Sequence, residues 1–194
     1  MNEGTGEHLG DDGPLCASRH PGAEVTHVEH LAARPGDVLV GRSVTIDRPR
    51  QELYAFWRNF ENLPLFMHNI RRVTVIDSTH SRWLVAAPAG KSVEWPSAIT
   101  VDDPGQLIGW ESEEGASVRN SGTVEFKDSP ERRGTVVTVT LAYDPPAGAI
   151  GQMIAKLFHK EPKIQARRDL RRFKQLMETG EVATAAPPYA APRA

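Results

Sequence analysis

Six side chains in this sequence have the chemistry to move a proton, or to hold a polar group, inside an apolar setting. They are Tyr54, His68, Glu94, Glu111, Arg119 and Asn120. Taking a proton from beside a carbonyl and protonating a departing hydroxyl requires a base and an acid, and burial shifts such groups toward neutral pH. Local pattern decides which of the six could serve. Glu94 and Glu111 alternate with Trp95 and Trp110, so they face solvent if the tryptophans face inward. His68 follows an apolar turn and is expected at the surface. Arg119 and Asn120 lie in Ser117-Val118-Arg119-Asn120-Ser121-Gly122, at the start of a strand, and of the six Asn120 is expected to touch a ligand. No catalytic residue is assigned. The sequence has no Ser/His/Asp set, Cys/His pair, zinc spacing or phosphate loop. Gly148 and Gly151 precede a helical pattern but lack the spacing and parallel setting of a dinucleotide fingerprint. His8, His20, His27 and His30 fit no ligand spacing, so neither metal nor cofactor is expected.

The elements that would position these groups follow from period and punctuation. The chain has 194 residues, 39% hydrophobic and 25% charged, with a net charge of −2. That is one domain's worth of core, with no general attraction to DNA. No stretch approaches the roughly 18 apolar residues of a membrane span. Cys16 stands alone, and the acidic beginning lacks a secretory pattern, so a cytoplasmic location is expected. Residues 1–35 are polar and aperiodic and read as a disordered tail. The Ala/Pro-rich residues 182–194 read as another, leaving one domain over 36–181.

Within that domain Val38, Val40, Val44 and Ile46 mark a first strand. Asp47 and Pro49 then announce a helix with Leu53, Phe56, Trp57 and Phe60 on one face, Asp47 acting as the cap. A short helical turn interrupted by Pro64 points Leu63, Phe66 and Met67 inward. Six alternating runs follow, separated by turn residues, and short connections make neighbours antiparallel. Pro96 inside one of them demands an edge, a bulge or a ladder's end. After Pro145-Pro146 a helical pattern carries Ile150, Met153, Ile154, Leu157 and Phe158. Pro162 kinks or breaks it, and Ile164, Leu170, Phe173, Leu176 and Met177 continue it to a stop at Gly180.

The segments Val44–Met67, Val93–Ser112, Gly122–Gly151 and Asp169–Glu181, in this order, resemble the START-like, helix-grip superfamily. Within it they resemble the bacterial polyketide cyclase/dehydrase and coenzyme Q-binding-like group. The resemblance implies an α+β fold. A curved antiparallel sheet of about seven strands wraps a long C-terminal helix, with two short helices after the first strand. It also implies an apolar cavity between sheet and helix. The large residues on the candidate inner faces are Trp83, Trp95, Trp110 and Tyr143, met from the helix by Met153, Leu157 and Phe158. With Asn120 at the rim these eight form the expected ligand-binding set. The function this favours is binding or carrying a hydrophobic small molecule such as a lipid, quinone, isoprenoid or polyketide-like compound. Two alternatives stay open: a cyclase or dehydratase, and an interaction protein that uses the basic C-terminal helix on RNA or a membrane. The membrane version would use Lys156, Lys160, Arg168 and Arg171 on an anionic surface.

Overall fold

The computed structural model describes residues 38–87, 90–130, 133–144 and 162–182. The N-terminal tail, and the C-terminal one beyond Val182, lie outside the described residues. So do Met153, Leu157, Phe158, Lys156 and Lys160, and with them the helical pattern before Pro162. Among the described residues no helix is long and apolar enough to cross a membrane.

Seven strands form one antiparallel sheet: β1 (Val38–Ile46), β2 (Ile70–Val75), β3 (His80–Ala86), β4 (Ser92–Asp103), β5 (Leu107–Ser112), β6 (Arg119–Asp128) and β7 (Thr135–Asp144). The spatial order is β1-β7-β6-β5-β4-β3-β2. β2 to β7 make a simple meander, and β1 closes against the last strand. Helix α1 (Arg50–Arg58) and the 3-10 turn η1 (Phe60–Leu65) carry the chain from β1 to the opposite edge, and α2 (Pro162–Thr179) packs along β1. This is the helix-grip arrangement expected from the order of segments.

Register assigns the faces. Ile46, Val137, Phe126 and Ile108 belong to one side, with Val124, Trp110, Trp95 and Trp83, and all of them are buried in the core. That concave side takes α1, η1 and α2. The alternation read from sequence holds through β3, β5, β6 and β7. It fails once in β4, where a bulge between Ile99 and Val101 turns Val101 to the other face, opposite Gly109. Pro96 pairs with Arg82 on β3, but the β4–β5 ladder ends at Ser97 opposite Ser112. Pro96 therefore sits just past a ladder's end, as a residue without an N–H must.

Two expectations about helix ends need correction. Asp47 does not cap α1: the helix begins three residues later, Pro49 holds the cap position without a side-chain bond, and the Asp47 N–H donates to Glu178 Oε1 at 2.7 Å. Ile164 does not join the apolar stripe of α2 and is 39% exposed, while Ala166 is buried in its place. The stripe runs Ala166, Leu170, Phe173, Met177, and Ile164, six residues before Leu170, points elsewhere on the 3.6-residue period. Gly180 ends α2 with φ +79°, its N–H donating to the Leu176 carbonyl at 2.8 Å.

The C-terminal end of α2 is tied down by polar bonds. Arg48 donates through Nε to the Met177 carbonyl at 2.8 Å and through Nη2 to the Glu178 carbonyl at 3.0 Å. A guanidinium there satisfies orphan carbonyls and sits at the negative end of the helix dipole. Lys174 Nζ donates to the Thr45 carbonyl at 2.7 Å and pairs with Glu178 at 3.2 Å. Phe173, fully buried, then drops between Trp57, Phe66 and Phe56, at ring-centre distances of 5.0, 4.8 and 6.0 Å.

Candidate functional site

The concave face divides into two halves with different packing. The half under α1 and η1 is closed by aromatic contacts. Trp83 and Trp110 stack at 6.1 Å with 22° between planes, and Phe60 meets both edge-on at 5.5 and 6.1 Å. Trp110 owes its pose to Gly122. A Cβ at that position would lie 2.3 Å from the Trp110 ring and 2.9 Å from Leu141, so only a glycine lets the indole lie flat on β6. Trp83 is pinned by its own strand, its Nε1 donating to Ser81 Oγ at 2.9 Å.

The other half is built from the β4–β5–β6 positions farther along the same face. Trp95 stands opposite Trp83 and is 4% exposed. Ser97 and Ser112 face each other, and Asn120 follows on β6, opposite Tyr143. The Ser97 hydroxyl donates to the Glu111 carbonyl at 2.8 Å, and the Asn120 N–H donates to Ser112 Oγ at 3.0 Å. Two buried polar atoms here have no hydrogen-bond partner among the described residues, Trp95 Nε1 and Asn120 Oδ1. Trp57 Nε1 is in the same state, but its ring is boxed in by Phe66, Phe126 and Phe173. Trp95 has no comparable ring contact among the described residues.

Of the eight expected ligand-binding residues, Trp83, Trp95, Trp110 and Asn120 occupy concave-face positions. Trp83 and Trp110 are taken up in the aromatic stack, whereas Trp95 and Asn120 retain polar capacity. Tyr143 is on β7 at a concave-face register position; its side chain, like Met153, Leu157 and Phe158, lies outside what is described. Glu94 is exposed on the convex side, where Arg82 pairs with it at 3.5 Å, and Glu111 shares that side. His68 is exposed, as expected. Tyr54 hydrogen-bonds Asp102, which also takes Arg58 Nε at 2.7 Å. Burial and the Asp102 carboxylate push the Tyr54 phenol up to about 12. This trio fastens α1 to the end of β4 instead of serving a pocket.

Sequence reasoning missed two charged groups. Arg42 alternates with Val40 and Val44 and pairs with Val139, which places its Cβ on the concave side; its Nη1 donates to the Gly41 carbonyl at 2.7 Å. Period-two spacing alone would have found it. Asp169 on α2 is the other. Gln165 Nε2 at 2.8 Å and Arg172 Nη1 at 3.2 Å donate to it, as does the backbone N–H of His68. Burial outweighs these donors and pushes the carboxyl up to about 6. Burial and Arg172 hold the His68 imidazole below its ordinary value. No spacing rule marks Asp169, because the residues that bury it come from η1 and its exit. No set of three or more metal-ligating side chains converges among the described residues.

A family-level sequence profile described as polyketide cyclase/dehydrase and lipid transport matches residues 46–171. The chain belongs to that family. A crystal structure from Deinococcus radiodurans is 42% identical and covers 74% of this chain and 99% of its own, with a TM-score of 0.61. One from Thermus thermophilus is 26% identical, covers 71% and 95%, and scores 0.58. The Zhui aromatase/cyclase from Streptomyces sp. R1128 shares the fold at 15% identity, covering 74% and 98%, with a TM-score of 0.57. No curated protein sequence matches the chain. Both activities in the family description handle apolar molecules, in accord with the hydrophobic-ligand reading of the sequence.

Proposed function

We propose that this member of the family binds and carries a neutral hydrophobic small molecule between the sheet and the C-terminal helical segment. The observation that carries the reading is the make-up of the concave face. Its polar groups in mid-β4, at the end of β5 and at the start of β6 are uncharged: Ser97, Ser112, Asn120 and the Trp95 N–H. Acid–base chemistry needs an ionisable pair in reach of the substrate. Among the described strand side chains on this face, Asp102 and Asp128 stand at strand ends, engaged with Arg58 and Arg50, and Arg42 donates to the Gly41 carbonyl; Asp169 lies on α2, engaged with Arg172 and Gln165. A face of this sort removes apolar area from water at about 25 cal/mol per Å² and orients the cargo by neutral hydrogen bonds. Native mass spectrometry of purified protein is expected to recover an apolar compound, and a solvatochromic dye to show saturable uptake. Empty protein together with no dye uptake would overturn the reading.

The carrier would load at an anionic membrane surface through α2. Arg168 is exposed on that helix, with Arg171 half-buried one turn on and Ile164 exposed one turn earlier, a mixture suited to a charged interface. Arg172 and Lys174 are spent on Asp169, Thr45 and Glu178 and do not contribute. Co-sedimentation with phosphatidylserine-containing vesicles should occur and be lost on reversing Arg168 and Arg171 to Glu. Wild-type protein that stays in the supernatant at low salt would sink this part.

A further inference from the structure

We infer that Trp95 and Asn120 form a two-point polar recognition site, and that the ligand is an elongated neutral molecule with a hydrogen-bond acceptor toward one end and a donor toward the other. The inference rests on the carrier reading and specifies its cargo.

A buried donor or acceptor left unpaired costs about 1–3 kcal/mol, and folded proteins keep few of them. The concave face holds one of each kind, Trp95 Nε1–H and Asn120 Oδ1. Neither follows from a lack of local options. Trp83 shows how a tryptophan on this face finds a hydroxyl two residues away, at Ser81. Trp95 has Ser97 at the same spacing, yet that hydroxyl is turned to the Glu111 carbonyl. At Asn120 the backbone N–H is fixed to Ser112 Oγ while the side-chain oxygen is left over.

Register sets the span between them. Asn120 is level with Ser112 and Ser97, two strands away from β4, and Trp95 lies two residues farther along. With strands about 4.8 Å apart and about 3.4 Å per residue, the two backbones are about 12 Å apart. A ligand that touches both groups must reach across two strand spacings of the same face, which favours an elongated shape over a compact one. Both protein groups are neutral dipoles, so they favour a carbonyl or ether at the Trp95 end and a hydroxyl at the Asn120 end over a carboxylate or phosphate.

The test uses three naphthalenes of similar size on the full chain. 6-Hydroxy-2-acetonaphthone has both groups, 2-acetonaphthone has only the acceptor, and 2-ethylnaphthalene has neither. Wild-type affinity should fall in that order, by about three- to tenfold per group removed. Trp95→Phe keeps an aromatic ring and removes the donor. It should weaken both ketones about five- to tenfold and 2-ethylnaphthalene much less. Asn120→Leu should weaken only the hydroxy compound. If all three probes bind equally to wild type, the two-point site is wrong while the carrier reading stands. If none binds, 2-ethylnaphthalene included, the carrier reading itself falls. The wild-type ranking needs no variant, so it decides the matter even if Asn120→Leu fails to fold.

Discussion

The two halves of the concave face are made from the same kinds of residue and end in opposite states. Under α1 and η1, rings fill every direction. Phe173, Phe66 and Trp57 interlock, and Phe60 closes over the Trp83–Trp110 stack. Farther along β4 and β6, Trp95 is buried and Asn120 half-buried, and each keeps an unpaired, buried polar atom. Tryptophan identity therefore does not tell a ring packed on rings from one that keeps an unpaired N–H. Among the described residues, what separates them is whether rings from α1, η1 and α2 pack against that stretch of strand.

The sharpest way to break this contrast is at its closed half. Phe173→Ala removes the ring that joins α2 to α1 and η1, and should cost about 3–5 kcal/mol, read as a lower midpoint in urea. A loss under about 1 kcal/mol would mean that α2 is not held by that knot. Next comes Gly122→Ala, which forces a methyl group into the Trp110 ring. Overpacking of this kind costs about 1–3 kcal/mol, and near-ultraviolet circular dichroism should show the Trp83–Trp110 stack disturbed. An unperturbed spectrum would show that Trp110 has room to move. Last comes a pH dependence where α2 meets the segment leaving η1. The Asp169 carboxyl, pushed up to about 6, binds its proton more tightly folded than unfolded. Its contribution is therefore fully present below about pH 4 and is lost as pH rises through about 6. Asp169→Asn should flatten that part of the stability profile, and an unchanged profile would assign the slope to another group.

Most of the fold was legible because period and turn chemistry report directly on backbone. Seven strands, two short helical elements and the Gly180 stop all follow from local signals. The failures came where distant contacts decide. Asp47 reads as a cap, but Glu178, 131 residues away, takes its N–H. Val101 reads as alternating, but a bulge flips it. On the concave face, alternation placed Trp83, Trp95 and Trp110 together, and Asn120 was expected at the rim. It could not say which rings stack together and which keep a free N–H, because that depends on η1 and Gly122. Asp169 was invisible for the same reason: its burial comes from the segment leaving η1.

The pairing of β1 with β7 has a consequence for how the molecule comes into being. Val38 meets Tyr143 and Ile46 meets Thr135, so the first strand cannot pair with β7 until roughly a hundred further residues exist. Contacts so remote in sequence slow folding. During synthesis β1 and the aromatic face of α1 must wait exposed while the meander forms, and α2, which covers them, emerges later still. The closed half of the sheet is thus the last to be sealed, and a nascent chain of this design is most vulnerable to association just before its final helix arrives.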